Sequence, residues 1–505
     1  MKALPRPSEW LTWRAVVSLF VLLLLCVGAY ASPWVHVYGG AGQDWAAAAE
    51  QTLDGGFIVV GRYGSGTLGP WVMKLDQHGR IEWQHSYGGL SYSKATSILV
   101  LEDGGFLVGG TLSNEPTGRD FWLLRLVSTG ETLWERVYGG PEVEIVLCLE
   151  QLSDGNFLAA GQSRTRGGQF AVLKVGRTGE LLWQFEYSTA SGGGYDGVQD
   201  IIETSDGGYL AVGHTQESEG VDYDFLVVKL DSDGAMEWRQ AYDSGFRDDA
   251  YSVLEMPDGG FLVVGKMWGI SDCWALMLDR AGSIRWESIY HTGGGALDAE
   301  LTSRGTMLVA GHGGYPYRCW IMELDADGAV EWFRRYYGPG NDTCRCVGSI
   351  AGNGYIAVGA TDSFGFGSQS ALVMKLDRSG DVLGSCFGTG FLVEEVPLGV
   401  SPTSATVFSL PLGGTATSYS SRTPSVSGTE ADGQLLVVCG GQEPETLCDL
   451  DGDGLETVAD VRLLQQAVTG CVLLPQALES VADIDGDGEL TPTDVGLLAA
   501  RIIGR

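Results

Sequence analysis

Positively charged residues are scarce in this sequence. Its 505 residues include 31 Lys and Arg against 64 Asp and Glu, which gives a formal net charge of -33. Nucleic acids and anionic membranes are bound through basic patches, so this composition argues against both as partners. The excess of carboxylates suits a secreted protein and divalent cations instead.

Familiar catalytic motifs are missing as well. There is no Gly-x-Ser-x-Gly elbow, no His-Glu-x-x-His pair and no phosphate-binding loop, and the six histidines are scattered. A glycosidase needs only two carboxylates close together in space. Five candidates recur near regularly spaced tryptophans, and this recurrence favours a structural role: Glu82, Glu135, Glu237, Glu287 and Glu331.

Long apolar runs are confined to the N-terminus. Lys2, Arg6 and Arg14 precede an apolar stretch at 15–28, and the small-x-small site Ala29-Tyr30-Ala31 follows it. The stretch is shorter than the ~20 residues that span a bilayer. We therefore predict a signal peptide at 1–31 and a secreted, extracellular or cell-surface protein with no membrane span after cleavage. An uncleaved anchor is the alternative.

A repeat of about 50 residues organises most of the chain. Each repeat has four short β-branched, aromatic or leucine-rich runs bounded by Gly and Asp turns, the pattern of four antiparallel strands in a propeller blade. One glycine marks the second strand of every repeat: Gly61, Gly110, Gly161, Gly213, Gly265, Gly311 and Gly359. The sequence predicts a mainly β fold with a seven-bladed β-propeller at 32–385.

The same repeat predicts how the ring closes. A tryptophan recurs in the fourth run, at Trp34, Trp83, Trp134, Trp183, Trp238, Trp286 and Trp332. Trp34 precedes the first complete blade, and the corresponding position at the end of the seventh repeat is Gly384. We expect residues 32–38 to supply the outer strand of blade seven, because this would pair the sheet edges at the seam.

The turn that leads to this tryptophan carries a family resemblance. Leu75-Asp76-Gln77-His78-Gly79-Arg80-Ile81-Glu82-Trp83 resembles the tryptophan-docking motif of pyrroloquinoline quinone propellers. The resemblance implies that each tryptophan packs between neighbouring blades. Quinoprotein dehydrogenases have eight blades and an adjacent Cys-Cys pair, whereas this chain has seven repeats and Cys344-Arg345-Cys346.

The repeat stops after Gly384. Residues 386–444 are rich in Ser, Thr, Gly and Val and contain almost no cations. We interpret them as a linker or a small β segment, with candidate strands at 404–408 and 433–439.

The last sixty residues contain a duplicated twelve-residue loop of calcium-binding type. Carboxylates at positions 1, 3 and 5, a backbone carbonyl at position 7, a threonine at 9 and a carboxylate at 12 supply the oxygen ligands that Ca²⁺ prefers. The predicted metal ligands are Asp449, Asp451, Asp453, Leu455, Thr457 and Asp460 in one loop, and Asp483, Asp485, Asp487, Glu489, Thr491 and Asp494 in the other. Apolar stripes predict helices at 461–468 and 495–503.

Residues 445–505 resemble a dockerin domain. Aspartate closes both loops and there is no room for a helix before the first one. The resemblance implies a small α-helical domain with two Ca²⁺ ions that binds a cohesin-like module or a cell-surface scaffold. The partner-contacting positions 10 and 11 are Val458-Ala459 and Pro492-Thr493, and so they depart from the Ser-Thr pair common in that family. The alternative is a calcium-stabilised terminal cap.

Three functions are compatible with these features. The favoured one is a secreted, non-catalytic propeller that binds a glycan or peptide and is attached through its calcium-dependent tail. The alternative is a dockerin-bearing glycoside hydrolase or lyase acting on polysaccharide. The third, a quinoprotein dehydrogenase, is disfavoured by the blade number and by the cysteine spacing.

Overall fold

The computed structural model describes the following residues: 33–64, 69–87, 93–114, 118–139, 143–163, 169–187, 196–216, 223–351, 354–365, 367–382, 392–401, and five short strands between 406 and 439. The predicted signal peptide at 1–31 and the predicted calcium-binding domain at 445–505 lie outside them. Within these ranges, no helix has the length and apolar character needed to cross a membrane.

Seven antiparallel sheets confirm the predicted seven-bladed propeller. The first strand of the chain is β1 (Trp34–Gly39). Blade one contains β2 (Trp45–Gln51), β3 (Phe57–Tyr63), β4 (Gly69–Leu75) and β5 (Ile81–Tyr87). Blade two contains β6 (Lys94–Val100), β7 (Phe106–Asn114), β8 (Gly118–Leu126) and β9 (Thr132–Gly139). Blade three contains β10 (Glu144–Gln151), β11 (Phe157–Ser163), β12 (Gln169–Val175) and β13 (Leu181–Tyr187). Blade four contains β14 (Gly197–Glu203), β15 (Tyr209–Thr215), β16 (Asp224–Leu230) and β17 (Met236–Asp243). Blade five contains β18 (Asp248–Glu255), β19 (Phe261–Met267), β20 (Asp272–Leu278) and β21 (Ile284–Tyr290). Blade six contains β22 (Ala296–Leu301), β23 (Met307–Gly313), β24 (Arg318–Leu324) and β25 (Val330–Tyr337). Blade seven contains β26 (Asp342–Ile350), β27 (Gly354–Thr361) and β28 (Ser370–Asp377).

The ring closes as the sequence predicts. Strand β1, from the N-terminal side of blade one, pairs antiparallel with β28 and so completes blade seven. Trp34 and Tyr38 then pack with blade one in the cluster between blades seven and one. The closure leaves no free sheet edge at the seam of the ring.

The hydrophobic core lies between the blades. Seven clusters of buried side chains are present, and each joins two neighbouring blades. Leu158 and Val172 of blade three, for example, pack with Ala211 and Leu226 of blade four. Because a single sheet would expose both of these faces, burial of the core requires the complete ring.

The tryptophan-docking motif makes the contact that its resemblance implies. A Cβ atom on Gly328, in the turn between β24 and β25, would lie 2.9 Å from Cη2 of Trp286 in the preceding blade. In the same interface Tyr290 donates a hydrogen bond from its hydroxyl to the Gly328 carbonyl at 2.6 Å. Five other interfaces contain the same tyrosine-to-glycine bond: Tyr38 to Gly79, Tyr138 to Gly179, Tyr187 to Gly234, Tyr242 to Gly282 and Tyr336 to Gly380.

The segment after the repeats adds a fifth strand to every blade. We call residues 392–439 the belt. Its strands are β29 (Leu392–Glu395), β30 (Val400–Ser401), β31 (Thr406–Ser409), β32 (Thr415–Ala416), β33 (Ser420–Arg422), β34 (Gly428–Glu430) and β35 (Gln434–Cys439). They pair in turn with the outer strands of blades six, five, four, three, two, one and seven. The part of 386–444 that the structure describes therefore encircles the ring rather than forming a sheet of its own.

The two ends of the ring are built from different connections. At one end, the turn face, short glycine-containing turns join the first strand to the second and the third strand to the fourth in blades one to six, and several of them are Asp-Gly turns. At the other, the loop face, the second strand joins the third and each blade joins the next. Asp54, in the first turn of blade one, is typical of the turn face, because its carboxylate accepts a hydrogen bond from Gly56 N at 3.1 Å.

Candidate functional site

The recurring glutamates take part in structural contacts. Glu82 pairs with Lys74 at 2.9 Å. Glu237 pairs with Lys229 at 3.5 Å. Glu331 lies 3.7 Å from Arg304. Glu135 is buried and accepts a hydrogen bond from Trp122 Nε1 at 2.6 Å. Each of these four glutamates therefore contacts a side chain of its own blade.

Two Asp-x-Asp-Gly sequences in the propeller resemble half of a calcium loop, but they form hairpin turns. Asp231 accepts hydrogen bonds from the backbone N–H groups of Asp233 and Ala235. Asp325 accepts the same pair from Asp327 and Ala329. Both first carboxylates are therefore used within their own turns. The twelve ligands predicted in the tail, from Asp449 to Asp494, lie outside the described residues.

The two cysteines of Cys344-Arg345-Cys346 point to different surroundings. The Cys344 thiol is buried and lies against that of Cys319, while Cys346 contacts the carbonyl of Ala49 at 3.9 Å. Burial raises the pKa of the Cys346 thiol well above its ordinary value, and the neighbouring Asp298 raises it further. The two thiols therefore do not present one common surface to a ligand.

Buried carboxylates fix the connections of the loop face. Asp44, just before β2, accepts hydrogen bonds from Gly40 N at 2.7 Å and from Gly64 N at 2.8 Å. Asp342 holds the corresponding position in blade seven and accepts a bond from Gly338 N at 2.6 Å. These acids tie the loop that enters a blade to the loop between its second and third strands.

The central channel carries a group of carboxyls toward the turn face. We call Glu50, Glu150, Asp200, Asp298 and Glu300 the channel acids, and all five lie on inner strands. Most of them bond to the backbone of the next blade. Glu50 accepts from Val100 N at 2.7 Å, Asp298 from Val347 N at 2.8 Å and Glu300 from Ser349 N at 2.9 Å. They link neighbouring inner strands around the channel.

Burial raises the pKa of every channel acid. It raises the pKa of Glu50 to about 7, of Glu150 to about 8, of Asp200 to about 6 and of Asp298 to about 8. The negative charges of other members raise the pKa of Glu50, Glu150 and Asp298 further, whereas backbone hydrogen bonds lower the pKa of each channel acid. Carboxyls that keep a proton near neutral pH are the type that can act as general acids.

A second carboxylate group lies on the loop face between blades four and five. Asp224, Asp243 and Asp248 each place one carboxylate oxygen within 4.8 Å of the others, and within the described ranges they form the one group of this geometry that could hold a metal ion. Such an all-oxygen set suits Ca²⁺ or Mg²⁺. Sequence analysis missed this site because its residues come from three different strands.

The equivalent positions in blades five and six do not bring two carboxylates together. In blade five, Asp272 lies 2.8 Å from His291. In blade six the Arg318 guanidinium stacks 4.1 Å from the centre of the Tyr337 ring. In blade four, Asp224 and Asp243 occupy these positions, so two carboxylates lie close together. Burial raises the pKa of Asp248 to about 7; hydrogen bonds from Ser244 lower it, and the charges of Asp224 and Asp243 raise it again.

Exposed aromatic side chains gather on the loop face of blades four to six. Trp268 is 43% exposed, with the Lys266 ammonium 3.6 Å from the centre of its ring. Arg247 lies over the rings of both Trp268 and Tyr223. Tyr315, at 96% exposure, lies on the corresponding loop of blade six. The described turn face has exposed leucines but no comparable aromatic group.

The chemistry of one position in the second strand varies widely from blade to blade. The residue after each marker glycine of the second strand lies opposite, or next to, the start of the inner strand, at the mouth of the channel on the loop face. From blade one to blade seven these residues are Arg62, Thr111, Gln162, His214, Lys266, His312 and Ala360. The positions before it keep the marker glycine and a small or apolar residue in every blade, so the second strands begin to differ in chemistry where they reach the channel mouth.

Comparison with known proteins adds little to this description. No family model matches the sequence, and no curated protein matches it either. Solved structures that match include a protein of unknown function from Bacteroides caccae (15% identity, 60% of this chain and 93% of that one, TM-score 0.38). A periplasmic gluconolactonase from Pseudomonas aeruginosa matches at 13% identity, over 68% of this chain and 99% of that one, with a TM-score of 0.42. These likenesses are too distant to carry a functional argument, and the propeller is established by its own strand pairing.

Proposed function

We propose that this chain is a secreted, non-catalytic β-propeller that binds its ligand at the channel mouth of the loop face. A calcium-dependent, dockerin-like tail attaches it to a cohesin-like module or a cell-surface scaffold. One observation carries the binding role: chemistry varies from blade to blade at the channel mouth, where Arg62, Lys266 and His312 occupy one repeat position. Side chains that vary in chemistry at one end of a regular scaffold are typical of a binding surface.

The tail has its support in the sequence. Both twelve-residue loops match the calcium pattern at every ligand position, from Asp449 to Asp460 and from Asp483 to Asp494. The net charge of -33 fits a protein that works in the presence of divalent cations. The tail follows the belt, whose last strand pairs with β1 of blade seven.

Calcium titration of the mature chain by calorimetry tests the tail. We expect two bound ions per chain, with a gain in helical circular dichroism, and loss of both in a variant with Asp449→Ala and Asp483→Ala. Asp243→Asn is the matched control, because it alters the acidic group on the propeller and leaves both loops intact. Absence of binding at millimolar calcium would refute the proposed tail.

The channel acids favour one alternative, an extracellular glycoside hydrolase or lyase that acts on polysaccharide. Glu150 and Asp298 would keep a proton near neutral pH and so could act as general acids. Incubation with a panel of polysaccharides, followed by analysis of the products, separates the two functions. Cleavage that Glu150→Gln abolishes would replace the binding role with the enzymatic one.

A further inference from the structure

The channel mouth concentrates positive charge in a strongly acidic protein. We call Arg62, Lys94, Lys266 and Arg345 the cationic mouth; His312 lies beside them but is neutral near pH 7, because burial lowers its pKa to about 4. The four cations come from blades one, two, five and seven, and all are at least partly accessible to solvent. Arg345 lies on the inner strand β26, at the register shift between Cys344 and Cys346.

Lys94 and Arg345 lie near each other, because both lie beside the ring of Trp45. Burial lowers the pKa of Lys94, and the charges of Arg345, Arg119 and Arg62 lower it further. Burial also lowers the pKa of His312 to about 4, and the charges of Arg345 and Lys266 add to this effect while a hydrogen bond to Cys344 O opposes it. Arg345 thus interacts with groups on both sides of the channel.

Two members of the mouth have no carboxylate partner in the part of the chain that the structure describes. Lys94 and Arg345 both lie beside the Trp45 ring, at 6.0 and 4.9 Å from its centre. Burial is the cause that lowers the pKa of Arg345, with no acidic group opposing it. Such unmatched charge around a concavity attracts anions and raises their local concentration.

Three lysines at the turn face, in contrast, pair with carboxylates. Lys74 pairs with Asp54 at 3.0 Å, Lys229 with Asp206 at 3.0 Å, and Lys174 with Asp154 at 2.9 Å. These lysines occupy equivalent positions in three blades and are neutralised by the chain itself. Lys94 and Arg345, in contrast, lie beside an aromatic ring and not beside a carboxylate, although the chain has 64 acidic residues.

We propose that the cationic mouth binds an acidic saccharide, a short glycan that carries carboxylate groups. The inference rests on the proposed binding role and names the class of its ligand. A guanidinium such as Arg345 can hold a carboxylate through two parallel hydrogen bonds. The flat rings of Trp45 and of the exposed Trp268 offer apolar surfaces against which sugar rings can pack.

The charge of the rest of the molecule limits the size of the ligand. A net charge of -33 repels long polyanions, so duplex nucleic acids and extended acidic polymers are disfavoured. Arg345 lies inside the channel, where a chain end or a short oligosaccharide can reach it. A peptide of acidic residues shares the carboxylate but lacks a ring to pack on Trp45, which favours the saccharide.

Calorimetry on the mature chain with a glucuronate-containing oligosaccharide tests this proposal. We expect binding that weakens as salt rises, and at least about tenfold weaker binding by Arg345→Gln, because the guanidinium–carboxylate pair is lost. We expect Lys94→Gln to weaken it by about threefold. The matched control is Arg280→Gln, an exposed arginine on the turn face, which should leave the affinity unchanged. Thermal unfolding verifies that each variant is folded.

Competing ligands separate failure of this inference from failure of the proposed function. A neutral glucose oligomer serves as the competing ligand. If it binds with equal affinity and Arg345→Gln has no effect, the ligand is not an acidic saccharide, whereas the proposed binding role is retained. Equal or better binding of inorganic sulfate or of a polyglutamate peptide would also overturn it. Failure of the acidic oligosaccharide to bind at all would do the same. Charge-dependent binding accompanied by cleavage would support the acidic class but refute the non-catalytic role.

Discussion

The turn face and the loop face are built from the same repeat, but their contacts recur from blade to blade to different extents. At the turn face, blades one to four carry an aspartate turn whose carboxylate pairs with a lysine or arginine of the third strand, and six blade interfaces share the tyrosine-to-glycine bond. At the loop face, equivalent positions hold an aspartate pair in blade four, an Asp272–His291 pair in blade five and a stacked Arg318 in blade six. Contacts that recur in each blade hold the ring together, and positions that differ are available for function.

The largest expected effect is at a docking turn. Gly328 has a φ of 81°, and an added Cβ would meet Trp286 and Tyr290 of the neighbouring blade. We expect Gly328→Ala to lower the free energy of unfolding by about 3 kcal/mol, from backbone strain and lost packing. Denaturant titration provides the measurement.

Gly305→Ala is the matched control for this substitution. Gly305 has a similar φ of 78°, but an added Cβ would have no atom within 4 Å. It should cost about 1 kcal/mol, the backbone strain alone. Equal losses in the two variants would mean that the tryptophan contact does not stabilise the ring.

A smaller effect is expected from the paired lysines. Lys229 is buried and pairs with Asp206, so Lys229→Met should lower the free energy of unfolding by about 2 kcal/mol. Lys94→Met removes a cation that faces other cations and should leave stability within about 0.5 kcal/mol of the wild type. A comparable loss for both lysines would contradict the division between the two faces.

The channel acids predict a dependence of stability on pH. Burial raises the pKa of Asp298 from 3.8 to about 8 in the folded protein. Between these values the folded state binds more protons than the unfolded state, so stability should fall as pH rises from about 4 to 8.

Thermal unfolding at pH 5 and pH 8 measures this effect. Asp298→Asn keeps an oxygen that can accept the hydrogen bond from Val347 N but has no proton to lose. This variant should show a smaller drop in unfolding temperature between the two pH values than the wild type. An identical drop would show that Asp298 does not retain its proton at neutral pH.

The smallest effect concerns the acidic group on the loop face. Asp243→Asn relieves repulsion with Asp224 and Asp248, so in the presence of a chelator it should raise stability by about 0.5 kcal/mol. The measurement is the unfolding temperature with and without EDTA. A destabilised variant under these conditions would show that the carboxylate has a structural role.

Much of the ring follows from local sequence signals. The marker glycines and the recurring tryptophans define the blades, and Trp34 shows where the seam lies, because each signal repeats with a fixed chemistry. The belt is different. Its strands are two to six residues long and join the blades through backbone hydrogen bonds, so a Ser- and Thr-rich sequence such as 415–430 gives no periodic signal.

The functional residues of the propeller depend on the closed ring. Lys94 and Arg345 are 251 positions apart in the chain and approach each other only because blades two and seven flank blade one. Asp224, Asp243 and Asp248 are each ordinary strand-end residues when considered singly. Comparing equivalent positions across the seven repeats would have marked both groups as departures from the repeat.

Hydrogen–deuterium exchange of the mature chain, with and without a glucuronate-containing oligosaccharide, tests the division between the two faces most directly. We predict slower exchange in loop-face peptides that include Arg62, Lys94 and Arg345, and unchanged exchange at the turns around Asp206 and Gly328. Protection at the turns, or no protection at the channel mouth under conditions where the saccharide binds, would contradict this account.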